Sequence, residues 1–212
     1  MSSFDYDIIE RCEFYPLSEE LAALPFYCGD SEGDKDLEDF FHKGALLYAK
    51  ERLGKTYCFI DNNGDHTQVV AFFTVSNDSV KTTFIPKSST NRVQRKVPGP
   101  KHLRSYPAVL LGRLGVNKLF QGKNFFAGQQ VINYVKTWFI DEDNKTGCRF
   151  LVVDAYNKKN VLNFYLRNKF KFLYTSEYDE REATHIEEGE TLHTRLMFLD
   201  LMYTDIVEKP KL

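Results

Sequence analysis

Two stretches of the chain have residue types and spacing suited to chemistry, and both suit phosphate. The first is Gln121-Gly122-Lys123-Asn124, a polar loop between two apolar elements. Before it, Pro107 to Val116 is dominated by Ala, Val and Leu, interrupted only by Gly112, Arg113 and Gly115. Such a run is expected of a central strand covered on both faces. After it, Val131, Ile132, Val135, Trp138 and Phe139 recur at helical spacing. A strand that passes through a tight loop into a helix leaves backbone N–H groups unpaired at the helix start, and that end attracts phosphate. The second stretch is basic. From Ser79 to Tyr106 there are seven cations (Lys81, Lys87, Arg92, Arg95, Lys96, Lys101 and Arg104) and no acidic residue. With Phe84, His102 and Tyr106 among them, the run is suited to a phosphate backbone, although a solvated loop is the commoner use of such a segment.

The other reactive side chains form no constellation. Cys12, Cys28, Cys58 and Cys148 are far apart, with no CxxC or CxxxH spacing. They read as free thiols in a reducing compartment. His185 and His193 lack metal-ligand spacing, and no metal is expected. His42 falls in a helix, where an exposed polar-face position is the simpler account. Asp154, at a strand end, is a candidate general base, but a turn or cap role suits it better. His102 and Arg113 are further candidates for substrate contact.

The elements that must position these residues are legible along the chain. A length of 212 residues, with 42% hydrophobic and 15% aromatic side chains, gives a globular fold with a sizeable core and argues for one domain, 1–212. The formal net charge of -2 excludes a wholly basic nucleic-acid binder, while local patches can still steer partners. Tyr6 to Arg11 alternates and suggests a first strand. Leu37, Phe40, Phe41, Ala45 and Tyr48 mark an amphipathic helix, with Asp34 or Asp36 as its cap and Gly54 beyond its end. Lys55 to Asp61 and Gln68 to Ser76 are strands joined at Asn62-Asn63-Gly64-Asp65, a strong hairpin turn. Ile85 to Tyr106 lacks periodicity and reads as a long or partly helical excursion. Cys148 to Ala155 is a buried strand, parallel to the central one through a helical crossover. Asn157 can cap a short helix from Lys158 to Asn168. Phe170 to Tyr174 is a strand, Ser176 to Glu190 an acidic surface loop, and Arg195 to Leu201 an antiparallel strand that closes the sheet. With no apolar N-terminal signal region and no apolar run of about 18 residues or more, a soluble, cytoplasmic protein with no membrane contact is expected.

At the central loop the chain resembles the GNAT N-acetyltransferases, and most closely a bacterial branch that includes toxin-like members. The similarity extends from Cys28-Gly29-Asp30 to the strand ending at Leu201. The family signature is Gln or Arg, two residues, Gly, one residue, then Gly or Ala. Gln121, Gly122 and Lys123 match it, Asn124 stands at the first signature Gly, and Phe126 stands at the second Gly or Ala. Asn tolerates positive φ better than most residues, so Asn124 would keep the loop's shape. The Phe126 ring would either obstruct a phosphate or turn inward onto the sheet. Asn163-Phe164-Tyr165 and Asn168-Lys169-Phe170-Lys171-Phe172 match a second family segment, with Lys169 where Gly is usual.

The resemblance implies a single-domain α/β fold, a mixed central sheet with helices on both faces. It implies acetyl-CoA as cosubstrate. Its pyrophosphate would lie on Gln121, Gly122, Lys123, Asn124 and Phe126, its pantetheine along Leu114 and Val116, and further contacts would come from Asn157 and Asn160. Tyr165 would protonate the departing thiolate. The leading expectation is direct acetyl transfer to a primary amine of a small molecule or protein, in a ternary complex. A toxin-like enzyme acetylating aminoacyl-tRNA is the alternative, with Arg92, Arg95, Lys96, His102 and Arg104 as RNA contacts and an antitoxin as partner. A binding protein with an impaired CoA site is a third. A homodimer is compatible with each.

Overall fold

The computed structural model describes residues 6–203 except 65, 83–84, 96, 98–104, 123 and 188. Lys96, His102, Arg104 and Lys123 therefore lie outside the described residues. The chain opens with a helical turn rather than a strand. Asp7 accepts from the amides of Ile9 at 2.8 Å and Glu10 at 3.3 Å, and this cap starts α1 (Ile8–Arg11) before β1 (Cys12–Pro16). Local capping thus outweighs the weak alternation.

After α2 (Glu19–Ala22), α3 (Glu32–Asp39) is capped by Ser31. Asp34, one of the expected caps, instead returns a bond to the Ser31 amide at 3.0 Å, completing a capping box. The helix passes through a π-helical turn (Phe40–Gly44) into α4 (Ala45–Lys50). His42 is half-buried, not an exposed polar-face residue, and its Nδ1 lies 2.7 Å from the Ala22 carbonyl. Strand β2 (Lys55–Asp61) pairs with β3 (Gln68–Lys81), which runs past Ser76. Within the expected excursion lies α5 (Lys87–Val93). Then come β4 (Ser105–Val116), a single 3-10 turn (Lys118–Phe120), α6 (Ala127–Ile140), β5 (Phe150–Tyr156), α7 (Lys159–Arg167), β6 (Lys171–Phe172), α8 (Glu177–Thr184) and β7 (Thr194–Asp200).

The seven strands form a mixed sheet in the order β1-β2-β3-β4-β5-β7-β6, flanked by helices. β4 and β5 are parallel, as the crossover helix requires. β7 pairs antiparallel with β5 and with β6. It does not close the sheet but inserts inside β6, which becomes the edge.

The described residues form two compact units. The first comprises residues 6–76 and 111–138. Here strand alternation sends Cys58, Ile60 and Phe72 to one face, where they bury with Phe26 and Phe41. Tyr57, Phe59 and Phe73 point to the other, where Phe14, Tyr134 and Trp138 join them in ring contacts of 4.7–6.3 Å. Each fully buried side chain of this size is worth roughly 2–3 kcal/mol, so this unit has apolar cover on both sheet faces.

The second unit comprises residues 77–110 and 139–203. Its core gathers Val80, Val93, Tyr106, Phe150, Val152 and Phe198. The acidic segment is not a loop but the helix α8, with a capping box from Ser176 and Asp179. Its Glu180 is buried and meets buried Arg195 at 2.6 Å. Burial raises the Glu180 carboxyl above its ordinary value, against the opposing pull of the Leu196 amide and Arg195. No described helix is long and apolar enough to cross a membrane.

Candidate functional site

In the first unit the site grows from the end of β4. The parallel ladder with β5 spans Ala108 to Leu110 only. Leu114 and Val116, half-buried, therefore carry a backbone edge outside that ladder. Gly115 allows this strand end to lie close on β3, since a Cβ there would come within 3.0 Å of the Phe72 ring. The strand stops at Asn117, whose amide donates to the Val70 carbonyl at 2.9 Å and whose Nδ2 donates to the Val69 carbonyl at 3.0 Å.

The loop that follows is fastened before it turns. Gln121 donates from Nε2 to the carbonyls of Cys28 at 2.7 Å and Val116 at 2.8 Å. Gly122 has φ +98, with open space where a side chain would sit. The Phe126 amide closes the turn on the Gly122 carbonyl at 3.1 Å. The left-handed residue is Phe126, at φ 49, and not Asn124. Its ring is 43% exposed, so it has not turned inward. The amides of Asn124, Phe125, Ala127 and Gly128 donate to no described residue. They lie at the start of a 14-residue helix, the end of a helix that favours negative charge.

Gln130, in the first turn of α6, escapes a reading by motif. It is buried and bonds the Phe125 carbonyl at 2.7 Å. The available signal is its spacing: it precedes Tyr134 and Trp138 by four and eight residues, a polar side chain in an apolar stripe.

In the second unit, Tyr165 lies on α7, half-buried, with ring contacts to Phe164 at 5.2 Å and Phe170 at 5.3 Å. Its hydroxyl bonds to no described residue, and burial pushes the phenol up to about 12. The end of α7 is built by Asn168, whose Nδ2 donates to the Phe164 carbonyl at 2.9 Å, and by Lys169, which takes φ 73. Left-handed backbone explains why Gly suits that position.

Asn157 does not cap α7. The cap is Lys158, without a side-chain bond, while Asn157 Nδ2 donates to the Leu192 carbonyl at 3.1 Å and Glu177 at 3.3 Å. Asn160 is exposed in the first turn of α7. Asp154 is neither turn nor cap; it sits exposed inside β5, opposite Leu196. Arg92 and Arg95 are exposed on α5 and the turn beyond it. Arg149 anchors that turn, donating to the Arg95 carbonyl at 2.6 Å while paired with Asp200 at 3.0 Å.

The four thiols are free, as the spacing indicates. Burial raises Cys28 and Cys58 to about 12 and Cys12 and Cys148 to about 11. They stay protonated at neutral pH, so none is a ready nucleophile.

No protein-family profile matches the sequence. Solved structures do match, over nearly the whole chain. A mutant of KacT is 17% identical with a TM-score of 0.61, covering 91% of this chain and 96% of that one. AtaT complexed with acetyl-methionyl-tRNAfMet is 18% identical with a TM-score of 0.59, covering 90% and 95%. An AtaT mutant toxin bound to the C-terminus of the antitoxin AtaR and acetyl-CoA is 16% identical with a TM-score of 0.53, covering 91% and 94%.

The chain has the GNAT fold. Identity this low speaks for the fold alone. Two positions that depart from the family pattern, Phe126 and Lys169, both take left-handed backbone, and the Phe126 ring stays exposed beside the loop.

Proposed function

We propose that this protein is an acetyltransferase that moves an acetyl group from acetyl-CoA to the amino group of an aminoacyl-tRNA. The observation that carries the reading is the set of amides at Asn124, Phe125, Ala127 and Gly128, which donate to no described residue, shortly after a strand end that lies outside the β5 ladder. A pyrophosphate needs N–H donors, and the segment entering α6 offers such groups at the positive end of a helix, which supports the reading. A pantetheine arm carries amides, which the backbone of Leu114 and the N–H of Val116 can pair, the Val116 carbonyl already accepting from Gln121. Bound acetyl-CoA supplies an activated acetyl thioester. Tyr165, still protonated at neutral pH, holds its proton at Oη for the departing sulfur. Asn160 and the Oδ1 of Asn157 offer further polar contacts.

For the acceptor, Arg92 and Arg95 present two exposed cations suited to RNA phosphate. The structural likeness to AtaT complexed with acetyl-methionyl-tRNAfMet supports this choice over a small amine. The AtaT complex with the AtaR C-terminus supports an antitoxin as protein partner.

The test is transfer of radiolabelled acetyl from acetyl-CoA to a pool of aminoacyl-tRNAs. Label recovered as N-acetyl-aminoacyl-tRNA, and lost in Tyr165→Phe, is expected. Label that reaches only free amines or protein would replace the acceptor. No label and no acetyl-CoA binding would leave a binding protein of the same fold.

A further inference from the structure

The loop that leads into α6 is fastened at its exit by a side chain that also holds the chain's first described residues. Gln130 Oε1 accepts from the Ile8 amide at 2.9 Å. Its Nε2 donates to the carbonyls of Tyr6 and Phe125, both at 2.7 Å. Both amide protons are committed, and the residue is 4% exposed, so bulk water does not stand in for these bonds. The Tyr6 ring packs behind the loop, with centroids 5.2 Å from Phe120 and 5.7 Å from Phe125. The Tyr6 hydroxyl donates to Asp61 at 2.5 Å, tying the segment to the end of β2.

The structure assigns Gln130 a positioning role: it locks residues 6–8 onto the back of the loop and so presets the amides of Asn124 and Phe125 for the pyrophosphate of the acyl donor. This rests on reading the loop as the donor's phosphate site. Amides stabilise an anion most when they are already aimed at it, because a loop ordered only on binding loses affinity to the entropy of ordering. Gln121 holds the entry and Gln130 the exit, and among the described residues between them Gly122 and Phe126 take left-handed backbone. Gln130 need not touch the donor; it acts through the Phe125 carbonyl and the helix start. In this arrangement the N-terminal segment is part of the donor site's support, a dependence that no signature motif contains.

The test separates pyrophosphate from the thioester arm. Native protein, Gln130→Glu and Gln130→Met are titrated by NMR with acetyl-CoA and with S-acetylpantetheine, which has the same thioester and no pyrophosphate. Gln130→Glu keeps the shape but, when ionised, cannot donate to the two carbonyls. The dissociation constant for acetyl-CoA is expected to rise about tenfold, and that for S-acetylpantetheine by less than about twofold. Equal losses for the two ligands mean general softening and overturn the inference, as does no loss for either. Tyr6→Phe keeps the carbonyl and the ring and is expected to stay within about twofold of native for acetyl-CoA. A larger loss there would assign the control to the Tyr6 hydroxyl and overturn the role given to Gln130. Failure of the native protein to bind acetyl-CoA would remove the donor-site reading itself, and the inference with it.

Discussion

The side-chain amide of Gln121 donates to the backbone carbonyl of Cys28 at 2.7 Å, across 93 positions of sequence. The same nitrogen reaches the Val116 carbonyl at 2.8 Å. Cys28 is held in turn, its amide donating to Glu38 at 2.8 Å. The signature glutamine therefore fastens the loop entry to the segment before α3. Gln121→Leu should remove both bonds, at about 1 kcal/mol each in stability, and weaken acetyl-CoA binding by about tenfold. Thermal melting and calorimetric titration check the two effects. Unchanged affinity would show that the clasp does not shape the loop for the donor.

Tyr165→Phe should lower turnover by about 100- to 10,000-fold while acetyl-CoA affinity and melting temperature hold. The phenol is raised by burial to about 12. An acid is lost as pH climbs through its pKa, so Tyr165 stays protonated well above neutrality. The rate profile between about pH 7 and 9 should then show no descending limb from this group. A fall in kcat across that range that is absent from the residual activity of Tyr165→Phe would place the phenol well below 12 and overturn this assignment.

Phe126 and Lys169 hold left-handed backbone at φ 49 and φ 73. Phe126→Gly and Lys169→Gly should each stabilise the protein by about 0.5–1 kcal/mol, the relief of strain exceeding the added freedom of the unfolded chain. Denaturant midpoints measure this. Destabilisation by Lys169→Gly would mean that the side chain contributes more than its backbone costs.

Glu180 is 3% exposed and its partner Arg195 is 6% exposed, so neither charge has water to fall back on. Glu180→Ala should cost about 3 kcal/mol or more, because among the described carboxylates it leaves the buried guanidinium the half-exposed Glu177, 3.4 Å away, as its ion partner. A loss below about 1 kcal/mol would put the pair in the class of solvated ion pairs.

Arg92 and Arg95 should contribute to RNA affinity without reading sequence. Changing both to Ala should lower the slope of log K against log salt by about 1.5 and weaken all tRNAs alike. Loss confined to one tRNA would show that these residues read bases.

The sequence alone determined the alternation of apolar strands and helices, the hairpin at Asn62–Gly64, the parallel crossover into β5, and the likeness of Gln121–Lys123 and Asn163–Tyr165 to a known signature. Period and turn chemistry are local properties, and a sequence states them directly. It also carried the free state of the four cysteines through their spacing. Other features were decided by tertiary structure, because they depend on partners distant in the chain. An acidic run reads as a loop until Arg195 arrives to bury Glu180 and the Ser176 cap starts a helix. A strand-like Tyr6–Arg11 becomes a helical turn once Asp7 caps it and Gln130, more than 120 positions away, takes the Ile8 amide. The positive φ expected at Asn124 fell instead on Phe126, because the loop's turn is set by where its two ends are tied and not by which residue bends most cheaply. Pattern placed the loop in the sequence. Hydrogen bonds between remote residues gave it its shape.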